Sequence, residues 1–269
     1  MAAKEGTGTF WSVTKALASR LVEEEAEALE RAARLIADRM ASGGQVYVYD
    51  TGHMLDRELI HRAGGLVAWA PLAFGLHLET RLIHEAPSPV PDPAPERLEG
   101  FIEYALDAAG IGATDVLLVA SVTGARPVPV ALALAARARN ISVVALTSPT
   151  FSAAVLPRHP SGRRLLEVAD IVIRNDCRVG DAALDIAGVP DPVGPTSGIT
   201  AAVLAWTLVE RVTRLLAERG IPPAVIESMN LPGASERNRE KMAAFRSRQA
   251  ALRDAAADSS RPADRRRPE

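Results

Sequence analysis

The sequence predicts an α/β fold in which a five-stranded parallel sheet lies between two layers of helices. Five short apolar runs alternate with longer stretches that have helical periodicity. Runs of this kind are typical of strands buried on both faces, because right-handed crossovers place helices over each face of a parallel sheet. The fold class is therefore a three-layer α/β/α sandwich, for which we expect the flavodoxin-like strand order 2-1-3-4-5.

The first predicted element is helical. Between residues 10 and 40, apolar residues recur at roughly helical spacing, and the stretch EEEAEALERAAR supplies charge to the other side. One long helix or two joined helices satisfy this pattern. We expect the acidic run from Glu23 to Glu25 to be a solvated face rather than a ligand site, since runs of like charge usually lie on the surface. Residues 1–44 are therefore predicted to form an N-terminal helical segment.

The strands and their crossover helices follow in order. Strands are predicted at residues 43–50, 66–70, 115–120, 142–147 and 170–174, and the clearest helices at 54–63, 96–109, 127–139 and 196–219. The segment APSPVPDPAPER, between the second and third strands, is read as a stiff loop because of its prolines. The last of these helices is apolar nearly all round in its first half, which indicates burial on several sides.

The main domain is predicted to span residues 45–245. Residues 246–269 contain too few apolar side chains to offset the entropy lost on ordering, so we expect a disordered tail. The sequence contains no internal repeat of the kind that would indicate a solenoid.

Composition excludes several classes of function. The chain has 269 residues, 48% of them hydrophobic, and a formal net charge of -2, so no global field favours a nucleic acid or a membrane surface as partner. The single cysteine, Cys177, cannot form an intrachain disulfide and suits a reducing cytoplasm. The sequence shows neither a signal peptide nor a membrane span, and the expected location is cytoplasmic.

Polar loops follow the first and third predicted strands. In a doubly wound sheet of this order, ligands bind at the carboxyl ends of these two strands, where the strand order reverses. The loop DTGHM contains Thr51 and Gly52, and the loop SVTGARP contains hydroxyl groups, a glycine and an arginine. Both lead directly into predicted helices, whose N-terminal amides favour anions. We therefore predict a small anionic ligand of the phosphate type.

Each residue type in these loops suits a phosphate in a different way. Hydroxyls donate hydrogen bonds to phosphate oxygens, glycine permits close backbone approach, and arginine adds a charge-assisted contact. A third loop, VGPTSG, supplies two more hydroxyls at the start of the long helix. The candidate residues of the second and third loops are Ser121, Thr123, Gly124, Arg126, Thr196 and Ser197. Any one of them alone is ordinary turn or capping chemistry.

Six segments occur in this order: DTGHMLDRELIHRAGGL, SVTGARPVPVALALAARARN, ALTSPTFS, RHPSGRRLLEVADIVI, GDAALDI and GPTSGITAA. Together they resemble the sugar isomerase (SIS) domain proteins, and among them the small stand-alone bacterial group. The resemblance covers about residues 5–245. It implies a five-stranded parallel sheet between helices, a phosphosugar ligand, and a homodimer in which the partner completes each pocket.

The family's phosphate loop, S-x-S-G-x-T, corresponds here to SVTGAR. Thr123 keeps a hydroxyl, whereas Arg126 places a cation where the family has a final hydroxyl. Asp50 stands where the family commonly has glycine, and a carboxylate there repels phosphate unless a cation neutralises it. His53 in the first loop and Ser148 in ALTSPTFS complete the candidate phosphosugar-binding set.

The sequence leaves two classes of function open. A sugar-phosphate isomerase needs a base that moves a proton beside a carbonyl, and a lyase or etherase needs the same base. The candidates are Glu58, His61 and Glu99, with an ion pair between Glu58 and Arg62 at i+4 as the structural alternative for Glu58. SIS domains also act as phosphosugar sensors that report to a partner. We expect a metal-independent sugar-phosphate isomerase that uses a carboxylate or histidine base. The alternatives are a non-catalytic sensor acting through a protein partner and a sugar-phosphate lyase or etherase.

No metal or cofactor is expected. The five histidines include no H-x-x-x-H pair, and the single cysteine permits no C-x-x-C pair, so metal-ligand spacing is missing. G-x-G-x-x-G is absent after the first strand, which argues against a nicotinamide cofactor.

Overall fold

A computed structural model describes residues 8–52, 55–74 and 95–259 of the chain. Its main sheet contains five parallel strands in the order β2-β1-β3-β4-β5. Their bounds are Val46–Asp50 (β1), Trp69–Pro71 (β2), Val116–Ala120 (β3), Ser142–Thr147 (β4) and Ile171–Arg174 (β5). The predicted strand number, direction and order are confirmed.

Helices cover both faces of this sheet. Their bounds are Phe10–Glu24 (α1), Ala26–Ala41 (α2), Leu55–Leu59 (α3), Pro95–Ala109 (α4), Pro127–Ala138 (α5), Pro149–Ala153 (α6), Leu165–Val168 (α7), Ser197–Glu218 (α8) and Ala234–Ser259 (α9). Val46 and Val48 pack into an apolar core with α2 and α8, while Tyr47 belongs to a second core with α4 and α5. Because successive strand residues point to opposite faces, this alternation confirms the three-layer sandwich.

The N-terminal helical segment is two helices that meet at Glu25. The expectation that the acidic run is solvated was wrong for this residue, which is only 3% exposed. Its carboxylate accepts hydrogen bonds from the Arg174 backbone amide at 2.9 Å and from the Arg174 Nε at 2.5 Å. The ion pair compensates for burial of the charge and ties the segment to the end of β5.

A short antiparallel hairpin precedes α8 and was not predicted. Its strands are Ala182–Leu184 (β6) and Val193–Pro195 (β7). Gly194 has a φ of +85°, and a Cβ placed there would lie 2.7 Å from a ring carbon of Phe10. The hairpin therefore packs closely against the first residue of α1.

The C-terminal region also differs from expectation. The tail was expected to be disordered from residue 246, but α9 continues to Ser259. Arg253 explains the difference, because it donates to the Gly43 carbonyl at 3.0 Å and to the Asp115 carboxylate at 2.7 Å. These contacts join α9 to the amino end of the sheet and stabilise a helix that has few apolar side chains to bury. The division of the chain into domains stays a prediction.

Among the helices of the described ranges, none is long and apolar enough to cross a bilayer.

Candidate functional site

A cavity of about 630 Å³ lies at the carboxyl edge of the sheet. The loops after β1 and β3 form two of its walls, and the hairpin with the start of α8 forms another. The predicted ligand residues that line it are Thr51, Gly52, Ser121, Thr123, Arg126 and Ser197. The topology thus brings residues that are far apart in sequence into one concave site.

The first loop already holds an anion of its own. The Asp50 carboxylate accepts hydrogen bonds from the backbone amides of Gly52 at 2.7 Å and Leu55 at 2.9 Å. A Cβ on Gly52 would lie 3.0 Å from Asp50 Oδ1, so glycine makes this close approach possible. These amides precede and begin α3, and they are the donors that a phosphate would need there. The carboxylate therefore occupies the place where the sequence predicted an anionic ligand.

The third loop is filled in the same way by Asp181. One carboxylate oxygen accepts from the amides of Thr196 at 3.1 Å and Ser197 at 2.9 Å, and the other accepts from the Ser197 hydroxyl at 2.5 Å. Asp181 has a φ of +58°, a conformation that Asp adopts more readily than most residues. Sequence reasoning missed this residue. The turn-forming pair Gly180 and Asp181 before AALDI was the one available signal.

The second loop differs from the other two. The Ser121 side chain is only 4% exposed, lines the cavity, and makes no hydrogen bond with a described residue. The backbone amides of Val122, Thr123 and Gly124 also donate to no acceptor in the described ranges. Arg126 is exposed and lines the cavity, with no ion pair to a described residue. This loop therefore retains the donors and the cation that a phosphate requires.

Three other predicted residues support the site from outside the cavity lining. A Cβ on Gly124, whose φ is +56°, would lie 2.9 Å from Thr147 Oγ1 and 3.0 Å from Leu165 Cβ, so this glycine serves packing within the protein. Ser148 is fully buried, caps α6 through the Phe151 amide, and donates to Asp176. Thr196 is buried and provides one of the amides that hold Asp181. Their assignment to the ligand stays a prediction.

The structure does not bring the predicted bases into the cavity lining. Glu58 forms an ion pair with Arg62 at 3.4 Å and accepts a hydrogen bond from the Trp206 indole at 3.4 Å, on a separate surface beside α8. The ion pair with Arg62 that the sequence suggested is therefore present, while the catalytic assignment of Glu58 stays a prediction. His61 and Glu99 are exposed and lie outside the cavity lining. His53 lies outside the described residues.

Electrostatics connect the first two loops. Burial raises the pKa of the Tyr49 hydroxyl, while Arg126 opposes this shift and Asp50 adds to it. Both charged groups therefore act on the same region at the end of β1. In the described ranges, no group of three or more His, Cys, Asp or Glu side chains is arranged to hold a metal ion.

Cys177 lies near Asp181 and is predicted to be unreactive. The residue is 5% exposed, and burial, reinforced by Asp181, raises the pKa of its thiol to about 12. Because the thiolate is the reactive form, we expect iodoacetamide at about pH 8 to leave the folded protein unmodified. Intact mass should show one label only after unfolding in urea, since the chain has 1 cysteine. Equal labelling rates for folded and unfolded protein would contradict the buried position.

Comparison with known proteins now identifies the family. The SIS domain model matches residues 9–148 of the chain. The chain belongs to the SIS domain family. SIS domains form a family of phosphosugar-binding domains, so the resemblance found in the sequence is confirmed at this level.

Relatives extend the similarity over most of the SIS chain. A UPF0309 protein of Geobacillus thermodenitrificans is 33% identical over 230 residues, covering 85% of this chain and 90% of the relative. A UPF0309 protein of Streptomyces coelicolor is 31% identical over 237 residues, with coverage of 86% and 91%.

Solved structures give weaker likenesses. A phosphoheptose isomerase from Francisella tularensis is 14% identical, with a TM-score of 0.46 and coverage of 81% of this chain and 100% of that one. The NanR protein of Vibrio vulnificus complexed with ManNAc-6P is 15% identical, with a TM-score of 0.40 and coverage of 87% and 67%. TM-scores this low support no conclusion about function.

Proposed function

We propose that the chain binds a phosphosugar in this cavity, with the phosphate on the second loop. The proposal depends on which of the three loops already binds a carboxylate of the chain. Carboxylates of the chain fill the first and third loops, whereas the second offers the Ser121 hydroxyl, the backbone amides of residues 122 and 123 and the Arg126 guanidinium. A phosphate bound there gains charge-assisted hydrogen bonds without displacing an internal carboxylate. Membership of the SIS family supports the same class of ligand.

Binding is better supported than isomerisation by the predicted bases. Abstraction of a proton requires a base within hydrogen-bond reach of the substrate. Glu58, His61 and Glu99 are not part of the cavity lining. The carboxylates among the described lining residues are Asp50 and Asp181, and every one of their oxygens already accepts a hydrogen bond. These observations favour a phosphosugar sensor over an isomerase or lyase whose base is Glu58, His61 or Glu99.

A ligand screen tests this function directly. Thermal shift and titration calorimetry would compare hexose and heptose phosphates with the same sugars lacking phosphate. We expect stabilisation by at least one phosphorylated sugar, none by its unphosphorylated form, and no turnover when the mixture is followed by NMR. Equal binding of both forms would overturn the phosphate site. Turnover of a bound sugar phosphate would overturn the preference for sensing and favour the isomerase.

Replacing Glu58 with glutamine should leave both phosphosugar affinity and any turnover unchanged. Its ion pair with Arg62 lies on the surface, where such pairs contribute about 0.3–0.5 kcal/mol to stability. The matched comparison is the double variant Ser121→Ala and Thr123→Ala, in which affinity should fall at least about tenfold because hydrogen bonds to a charged ligand are lost. A drop in turnover of about 100-fold in Glu58→Gln would reinstate Glu58 as the base.

The proposal includes a homodimer formed through α8. Ile199 and Val203 are 38% and 37% exposed on this helix, next to the Trp206 side chain. Symmetric dimers are the commonest closed assemblies, and an exposed apolar face of this kind suits such an interface. Sedimentation at micromolar concentration should give a dimer, and Val203→Glu should shift it to monomer. A wild-type protein that sediments only as monomer would contradict the claim.

A further inference from the structure

Asp50 is the cavity residue that phosphate binding does not explain. It ends β1, and its two oxygens are fixed by the amides of Gly52 and Leu55 at 2.7 and 2.9 Å. An ionised carboxylate offers about four lone-pair sites. Each Asp50 oxygen accepts one hydrogen bond from a described backbone amide, which is fewer than a carboxylate oxygen can accept. The group is a rigid acceptor on the wall of the cavity.

Among the described residues that line the cavity, negative side chains outnumber positive ones. Its described ionisable side chains are two carboxylates, Asp50 and Asp181, and one guanidinium, Arg126. The proposed phosphate lies beside Arg126 and adds further negative charge. Like charges held together in a partly desolvated site repel one another strongly. A ligand that carries a positive group near one of the carboxylates relieves this repulsion.

Asp50 is the carboxylate placed to meet such a group. It is registered with Ala120 on the neighbouring strand, immediately before Ser121 of the phosphate loop. Adjacent strands lie roughly 4.8 Å apart, a separation that one sugar ring bridges. Asp181, in contrast, accepts three hydrogen bonds at the start of α8. With the phosphate on the second loop, the sugar would therefore be the part of the ligand that lies next to Asp50.

We propose that Asp50 selects a phosphorylated amino sugar with an unacylated amine, whose ammonium group donates to the Asp50 carboxylate while the phosphate lies on the second loop. This inference rests on the proposed phosphosugar site. A sugar hydroxyl fits the same acceptor sites but leaves the charges unbalanced. An N-acetyl group removes the positive charge from the nitrogen. Asp50 is thus a specificity-determining residue for the proposed ligand.

Titration calorimetry with matched ligands tests the proposal. The probes are the 6-phosphates of glucosamine, mannosamine and galactosamine, each compared with its N-acetylated form and with the hexose 6-phosphate that carries hydroxyl in place of the amine. We expect at least one amine to bind about tenfold or more tightly than both counterparts. Asp50→Asn should abolish this preference and change the affinity for the hexose phosphate much less. Melting curves confirm that the variant is folded.

A second measurement needs no variant. Raising the pH until the ligand's amine loses its proton should remove the preference in the wild-type protein. The hexose phosphate is the control, because a change in its affinity with pH reports titration of the protein itself. The protein groups concerned are the Tyr49 hydroxyl near Asp50 and the charged side chains of Arg126 and Asp181.

The outcomes separate this inference from the proposed function. Equal affinity for amine, acetamide and hydroxyl forms overturns the selection by Asp50 and leaves the phosphate site standing. An amine preference that survives both Asp50→Asn and high pH overturns the role of Asp50. Failure of every phosphosugar to bind overturns the phosphate site and this inference with it.

Discussion

Replacing Arg126 with alanine is expected to weaken phosphosugar binding by about 100-fold while leaving the melting temperature unchanged. The side chain lines the cavity, is exposed, and forms no side-chain cap on α5, so the fold does not depend on it. Charge-assisted hydrogen bonds are worth roughly 1.5–3 kcal/mol each. Loss of a bidentate contact therefore costs about 3 kcal/mol, which corresponds to about 100-fold in affinity.

Matched variants make this result specific. Arg126→Lys should retain part of the affinity, since it keeps the charge but loses the planar pair of donors. Arg34→Ala removes an exposed arginine that pairs with Glu30 on α2, away from the cavity, and should bind normally. Wild-type affinity in Arg126→Ala would show that the phosphate does not lie on the second loop.

Replacing Asp115 with alanine is expected to lower the free energy of unfolding by about 3 kcal/mol. The carboxylate is fully buried and accepts hydrogen bonds from the amides of Gln45 and Gly112, both at 2.9 Å, as well as from Arg253 at 2.7 Å. Alanine leaves two amides without an acceptor and releases Arg253 from the start of β3. Each unsatisfied buried group costs about 1–3 kcal/mol. For a chain of this size the melting temperature should fall by about 6–12 °C.

Asp107→Ala is the control for this change. Asp107 also pairs with an arginine, Arg139, at 2.7 Å, but its side chain is 71% exposed. An exposed pair contributes at most about 1 kcal/mol. Denaturant titration of both variants gives the comparison. Equal destabilisation by the two changes would contradict the structural role assigned to Asp115, and with it the explanation for the ordered C-terminal helix.

The parallel sheet could be predicted because its strands are buried runs with helices between them. Local patterns failed where long-range polar contacts decide the structure. Glu25 is read from its neighbours as a surface residue, but its partner is Arg174, 149 positions away. The end of α9 is likewise held by Arg253, which reaches Asp115 across 138 positions. Hydrophobic periodicity in the sequence does not indicate polar contacts between residues so far apart along the chain.

The candidate site could also be predicted only in part from the sequence. The strand order and the loop composition locate the cavity, because parallel strands bring their carboxyl ends to one edge. They do not reveal which helix N-termini are already occupied. Asp181 is distinguished from a surface aspartate by the amides it meets 15 and 16 positions away. Asp50 meets amides of its own loop, and the sequence does not indicate the direction of those N–H groups. Glu58 was suggested by its distance from Gly52 in sequence, whereas the direction of α3 places it beside Trp206.

The position of the phosphate in a crystal structure with a bound phosphosugar tests the central claim most directly. The account predicts phosphate oxygens within hydrogen-bond distance of the Ser121 hydroxyl, the backbone amides of residues 122 and 123 and the Arg126 guanidinium. The Asp50 and Asp181 carboxylates should still accept from their own amides. A phosphate at the start of α8 in place of Asp181, or at the start of α3 in place of Asp50, would contradict it.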